Sequence, residues 1–283
     1  MKLDIVVPTY NNEKQISNIY NKICEDLKDL KINIIFVDDN STDKTIELLK
    51  NIQKNDEDRV KLLSMSKNFG KDTCILAGLK YTKNELICIY DIDSLVNTSF
   101  IKKMYDYIQE HNEYDQICML SNKDNIGKIE LFNKIFNLNI DINKTYTRLM
   151  KRNVLTGILE LSNKLTFSNY IFELIGFNTY YLKYESKKIE NNYKLRKYLV
   201  YSKNPFKLIK LINYLLILLT IIIMILSLLN KINVSNNVIL ITILSITIIQ
   251  LSTSIYTTNN ILKKECNNYY ILKDKIGFED NIL

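Results

Sequence analysis

Two kinds of apolar pattern alternate along the first half of the chain. Short, mostly apolar runs at residues 3–7, 32–37, 60–63, 86–90 and 116–120 read as strands buried on both faces. Between them, apolar residues recur at helical spacing: Ile16, Ile19, Ile23 and Leu27 after the first run, Ile46 and Leu49 after the second, and a segment ending at Leu79 after the third. Ser41 or Thr42 can cap the second helix, and a further helix is expected over residues 100–109. Strand and helix alternate about every 25 residues, which predicts an α/β domain with a mostly parallel sheet. Residues 129–138 read as an amphipathic helix, and 143–149 and 178–185 as two more strands. The apolar, aromatic stretch 167–177 reads as core or as a segment lying at a lipid interface.

In such a sheet, ligands bind outside the carboxyl ends of the strands. The loops at residues 8–12, 38–43, 66–71 and 91–97 are then expected along one edge. The last of these begins Asp91-Ile92-Asp93, directly after a buried strand. In extended chain, i, i+2 spacing points both carboxylates the same way. Such a pair repels unless a cation lies between them. A divalent metal carrying a diphosphate suits that place, because hard cations take oxygen ligands. A solvated Asp-x-Asp turn is the alternative.

The pattern changes towards the end. Residues 211–230 carry no charge and are mostly Leu and Ile, enough to cross a hydrocarbon core of about 30 Å. A second uncharged run, 232–262, is most apolar over 238–256. Both runs are apolar all round, which predicts a transmembrane hairpin with spans at about 211–230 and 238–258. Lys194, Arg196, Lys197, Lys203, Lys207 and Lys210 precede it and Lys263, Lys264, Lys273 and Lys275 follow, whereas the connection holds only Lys231. The positive-inside rule then puts both flanks in the cytoplasm. The expected organisation is a cytoplasmic α/β nucleotide-binding domain over 1–205, a two-helix hairpin within 206–262 and a cytoplasmic tail over 263–283, in a multi-pass protein of the cytoplasmic membrane.

Composition narrows the partners. The formal net charge is +7, from 38 Lys+Arg against 31 Asp+Glu, with no basic stripe interleaved with aromatics. A membrane surface or a phosphorylated substrate fits that excess better than nucleic acid. The five scattered cysteines read as reduced thiols, and His111 as a surface residue. Met1-Lys2 leads straight into the first strand, so no signal peptide is expected.

Several segments carry a family resemblance: 5–11 (IVVPTYN), 36–45 (FVDDNSTDKT), 66–71 (SKNFGK), 77–79 (AGL) and 91–93 (DID), with weaker matches at 147–152 (TRLMKR), 193–197 (YKLRK) and 270–278 (YILKDKIGF). The chain resembles family-2 glycosyltransferases of the GT-A type, in the branch that moves a sugar from a nucleotide donor to a polyprenyl phosphate. Dolichol-phosphate mannose synthases and bacterial undecaprenyl-phosphate glucosyltransferases belong to that branch. The resemblance implies a Rossmann-like GT-A domain followed by the hairpin. It implies that Pro8, Tyr10 and Asp39 hold the nucleotide, with Lys71 close by, and that Asp91 and Asp93 bring Mg²⁺ or Mn²⁺ to the donor diphosphate. The acceptor is a lipid phosphate, its oxygen already anionic, and in-line attack inverts the anomeric centre. Arg148, with Lys151 or Arg152, is a candidate for gripping that phosphate; a solvated charge cluster is the alternative. The apolar spans allow a homo-oligomer.

The chain also departs from the family pattern. After the Asp pair, Leu95 and Val96 replace a Gln and an Asp, Ser121-Asn122 replaces an Arg pair, and Tyr146 stands where an Asp, a proposed base, is usual. These replacements support a second reading: a catalytically impaired, membrane-tethered nucleotide-binding paralogue that partners another transferase.

Overall fold

The computed structural model describes residues 2–122, 127–136, 138–141, 143–185 and 270–278, with scattered helical positions between 214 and 255. Two compact units are present, one comprising residues 1–124, 141–192 and 268–283, the other 125–140 and 193–267.

The first unit alternates strand and helix as the pattern requires: β1 (Lys2–Thr9), α1 (Ile16–Asp26), β2 (Lys31–Asp38), α2 (Thr45–Asn55), β3 (Val60–Met65), α3 (Lys71–Lys80), β4 (Leu86–Ile89), α4 (Ser99–Glu110) and β5 (Gln116–Ser121). After α5 (Gly127–Phe136), which lies in the second unit, come β6 (Lys144–Lys151), α6 (Arg152–Ser162), α7 (Ile171–Leu174), β7 (Thr179–Tyr184) and β8 (Leu272–Ile276). The eight strands form one sheet in the order β7-β5-β6-β4-β1-β2-β3-β8.

Parallel pairing joins β4, β1, β2 and β3, and also β5 with β7. Two strands run against the rest. β6 lies antiparallel between β4 and β5, and β8 lies antiparallel on the outer edge of β3. The sheet is therefore mostly parallel, as the hydrophobic pattern predicts, with two reversed strands that the pattern does not reveal. An apolar run states that a strand is buried but not which neighbour it pairs with or in which direction. The tail expected over 263–283 contains a strand of the sheet, β8, and Ser66 N–H bonds Ile271 C=O at 2.9 Å beside it. Alternation in β8 is intermediate–exposed, the signature of an edge strand with a weak pattern.

Side chains alternate across the pleat. Leu3, Ile5 and Val7 of β1 pack in one core cluster with Ile16 and Ile23 of α1, Leu49 of α2 and Ile101, Met104 and Ile108 of α4. Val6 packs in the other, with Cys74–Leu79 of α3, Val154, Leu155 and Ile158 of α6, and Phe167, Ile171 and Phe172 around α7. Helices thus cover both faces, and the 167–177 stretch supplies core. Cys74, Cys88 and Cys118 are buried free thiols, and Cys24 is a half-buried one.

Helix α3 sits unusually close to the sheet at Gly78. A Cβ there would meet Val6 Cγ1 and, at 2.9 Å, Val37 Cγ2. Gly78→Ala gains helix propensity but overpacks the α3–sheet contact, so a net loss of about 1–3 kcal/mol is expected. Urea denaturation checks this; an unchanged midpoint would mean that α3 can shift outward freely.

The hairpin predicted at 211–230 and 238–258 falls almost entirely outside the described residues. Among those that are described, no helix is long and apolar enough to cross a membrane.

Candidate active site

The carboxyl ends of β1, β2, β3 and β4 bring the four polar loops to one edge. Hydrogen bonds then link each loop to the next. From the first loop to the second, Asn11 N–H bonds Ser41 Oγ at 3.0 Å, Thr42 N–H bonds Asn11 Oδ1 at 2.9 Å, and Asn12 N–H bonds Thr45 Oγ1 at 2.8 Å. From the second to the third, Asp39 accepts from Phe69 N–H at 2.7 Å and Gly70 N–H at 2.8 Å, one oxygen each. From the third to the fourth, Lys71 Nζ donates to Asp91 Oδ1 at 2.7 Å and Asp93 Oδ2 at 2.5 Å. The fourth loop is tied to β6 by Asp91 N–H to Thr147 Oγ1 at 3.1 Å.

Each link has a local cause. Gly70 adopts φ +91°, a conformation that favours glycine, and this lets the chain turn from β3 into α3 with Lys71 as the first helical residue. Asp38 is spent on its own loop, accepting from Ser41 N–H at 3.0 Å and Ser41 Oγ–H at 2.5 Å. That leaves Asp39 to clamp the third loop. Burial pushes the carboxyls of Asp38 and Asp39 above the ordinary range, and their hydrogen bonds offset part of it.

The two aspartates do converge, although not by the extended geometry their spacing suggests. Asp91 is extended, but Ile92–Ser94 form a 3₁₀ turn that Asp91 caps by accepting Asp93 N–H at 3.1 Å. Ser94 Oγ reaches Asp91 C=O at 2.6 Å and Thr147 Oγ1 at 2.9 Å, and Tyr184 O–H bonds Ser94 C=O at 2.9 Å. A turn held on three sides aims both carboxylates at one point. Asp91 is buried, whereas the Asp93 side chain is 63% exposed. The cation between them is Lys71. Burial opposes its charge, but Asp91 and Asp93 outweigh that and hold the ammonium pKa above its ordinary value. Burial also raises the Asp91 carboxyl, with Lys71 opposing.

Among the described residues, no group of three or more His, Cys, Asp or Glu side chains could hold a metal ion alone. Two carboxylates that already share one cation nevertheless suit a hard divalent ion whose other ligands come from a substrate phosphate. The residues therefore fit a metal brought in with a diphosphate.

The remaining candidates are distributed differently. Tyr10 is 47% exposed at the head of the first loop, beside Pro8 at the buried end of β1. Arg148 is 1% exposed. Its guanidinium lies 3.5 Å from the Phe172 ring centroid and bonds Asn169 Oδ1 and Thr145 C=O, and among the described residues its buried Nε has no partner. An accessible grip on a lipid phosphate is not what this placement offers. Lys151 and Arg152 lie elsewhere. Because β6 runs antiparallel to β4, Lys151 pairs with Leu86 at the amino end of that strand. Arg152 there bonds Thr82 C=O at 3.1 Å and Asn84 C=O. Both lie at the opposite edge from the Asp pair.

The departures from the family pattern also find places. Leu95 takes a left-handed conformation and is 54% exposed, while Val96 is buried in the core. Tyr146 O–H bonds Asp72, the second residue of α3, and accepts Asn169 N–H at 2.9 Å. Thr147, Ser94, Tyr184 and Asp72 escaped sequence reasoning. Isolated hydroxyls and a helix-start acid carry no pattern until the sheet brings them together.

The glycosyl transferase family 2 profile matches residues 4–166, more than half of the chain and the whole of the four-loop edge. The chain belongs to glycosyl transferase family 2. CsbB of Bacillus subtilis is 27% identical over 201 residues, covering 67% of this chain and 60% of that protein. A bactoprenol glucosyl transferase of Shigella phage SfX is 28% identical over 195 residues, covering 65% and 63%. This family-2 chain thus spans less than two thirds of the length of these relatives. Its fold is similar to that of glucosyl-3-phosphoglycerate synthase from Mycobacterium tuberculosis, solved with Mn²⁺, uridine diphosphate and phosphoglyceric acid (TM-score 0.51, 14% identity, covering 68% of this chain and 72% of that one).

Proposed function

We propose that this family-2 member is an inverting, metal-dependent glycosyltransferase that moves a sugar from a nucleotide donor to a polyprenyl phosphate, undecaprenyl phosphate in a bacterium, at the cytoplasmic leaflet. The observation that carries the reading is the convergence of Asp91 and Asp93 on a single cation at the edge where four loops meet. Relatives named bactoprenol glucosyl transferase support the lipid acceptor, and the apolar runs at 211–230 and 238–258 support a membrane site.

Asp91 and Asp93 would hold Mg²⁺ or Mn²⁺, which neutralises the charge that grows on the departing diphosphate. Tyr10 and Pro8 line the first loop, where they meet the nucleotide. Asp39 shapes the nucleotide site through the backbone of Phe69 and Gly70. Lys71 adds a positive charge beside the diphosphate. The acceptor phosphate is already an anion, so it needs orientation and exclusion of water more than a base.

The test is detergent-purified protein with Mn²⁺ or Mg²⁺, undecaprenyl phosphate and a panel of nucleotide sugars, scored by the mass of the lipid product. Product from one donor, lost with chelator, supports the reading. A second reading, a nucleotide-binding paralogue without turnover, draws on the buried Val96, the engaged Tyr146 and the enclosed Arg148. Nucleotide binding with no product from any donor would favour it.

A further inference from the structure

Two of the three loop-to-loop links at the site are neutral or single-charge contacts. The third, at Lys71, is a cation held between two anions, and it takes one oxygen of each carboxylate that a metal would use. Lys71 Nζ lies 2.7 Å from Asp91 Oδ1 and 2.5 Å from Asp93 Oδ2. A divalent ion of the Mg²⁺ class sits about 2.1 Å from its carboxylate oxygens, so a metal on these two carboxylates stands in close like-charge repulsion with the ammonium. The buried Asp91 needs a counter-charge when no metal is present, and Lys71 supplies it from the first residue of α3.

We propose that Lys71 is an exchangeable internal counter-ion: it closes the Asp91–Asp93 pair in the resting protein and gives way to the divalent ion when a diphosphate enters, then pairs with the diphosphate. This rests on the metal-dependent reading given above. It has a consequence that simple charge complementarity lacks. A metal arriving alone must displace the ammonium into water. A metal arriving with a diphosphate displaces it onto a new anion. Metal and diphosphate therefore bind cooperatively, and by linkage each raises the affinity of the other by the same factor. The side-chain geometry allows the exchange without moving the sheet, because the Lys71 side chain is 34% exposed and that of Asp93 is 63% exposed.

The test measures Mn²⁺ binding to the full chain by electron paramagnetic resonance, with Mn²⁺ alone and with Mn²⁺ plus inorganic pyrophosphate, a probe that is indifferent to the base. Lys71→Met is expected to bind Mn²⁺ alone about tenfold or more tightly than the wild type, because a competing unit charge is gone. Pyrophosphate is expected to sharpen Mn²⁺ binding strongly in the wild type and much less in Lys71→Met. Lys71→Arg, which keeps the cation, stays close to the wild type. Equal or weaker Mn²⁺ binding by Lys71→Met overturns the exchange while leaving metal dependence standing. If neither protein holds Mn²⁺ even with pyrophosphate, both the exchange and the metal-dependent reading fail. A measurement on the wild type needs no variant: acetylation of Lys71 by acetic anhydride, read by peptide mass, rises at saturating Mn²⁺ if the ammonium is released. Unchanged labelling at saturation overturns the proposal.

Discussion

Asp93→Ala is expected to lower sugar transfer by about 10²–10³-fold or more while leaving the protein folded. The two halves of that expectation have separate reasons. On the proposed reading Asp93 is, with Asp91, one of the two carboxylates that meet the diphosphate's charge, and its side chain is 63% exposed. Its contact with Lys71 is therefore solvent-screened, and removing it changes stability by no more than about 1 kcal/mol. Asp91 is a poorer first choice for mutation. It caps the 3₁₀ turn, pairs with Lys71 and is buried, so its loss mixes chemistry with folding. The check is the rate of lipid product by mass alongside a thermal melt. Wild-type turnover in Asp93→Ala would sink the metal-site reading.

Asp39→Ala is expected to destabilise the protein by about 2–4 kcal/mol and to weaken nucleotide binding. Asp39 is buried, and each of its oxygens accepts one backbone N–H, from Phe69 and from Gly70. Removing it takes the acceptor from two donors in the turn that delivers Lys71. The loss stays below the sum of two charge-assisted bonds because alanine also relieves the burial cost that raises the Asp39 carboxyl. The sign of the pH effect follows. A carboxyl whose folded pKa is raised costs stability once ionised, so the native state loses stability as pH rises from the unfolded value through the folded one. Asp39→Ala removes that slope. Urea denaturation in that acidic window and at neutral pH reads both effects, and a variant as stable as the wild type would show that the third loop holds its shape without the clamp.

The contrast between these two residues shows how far a sequence can be read. Both are acids at strand ends in recognisable motifs, and the sequence assigns both to ligand binding. The structure gives Asp93 an open carboxylate and gives Asp39 a scaffold role within the nucleotide edge. Arg148 makes the same point from the other side. Its motif suggests a phosphate grip, but the register of β6 sets it opposite Ile89 and beneath Phe172. One residue's difference in register decides which face of the sheet a side chain occupies.

By itself the sequence determined the alternation of strands and helices, the one edge on which four polar loops meet, the Asp pair and the family. These follow from local pattern: runs of buried apolar residues, helical spacing, and short motifs at strand ends. Only the tertiary structure decided that β6 and β8 run against the sheet, that Lys151 and Arg152 lie at the far edge, and that the cation between the two aspartates is the chain's own Lys71. Those facts depend on which strands pair and on contacts between residues twenty or more positions apart, and no local period encodes either.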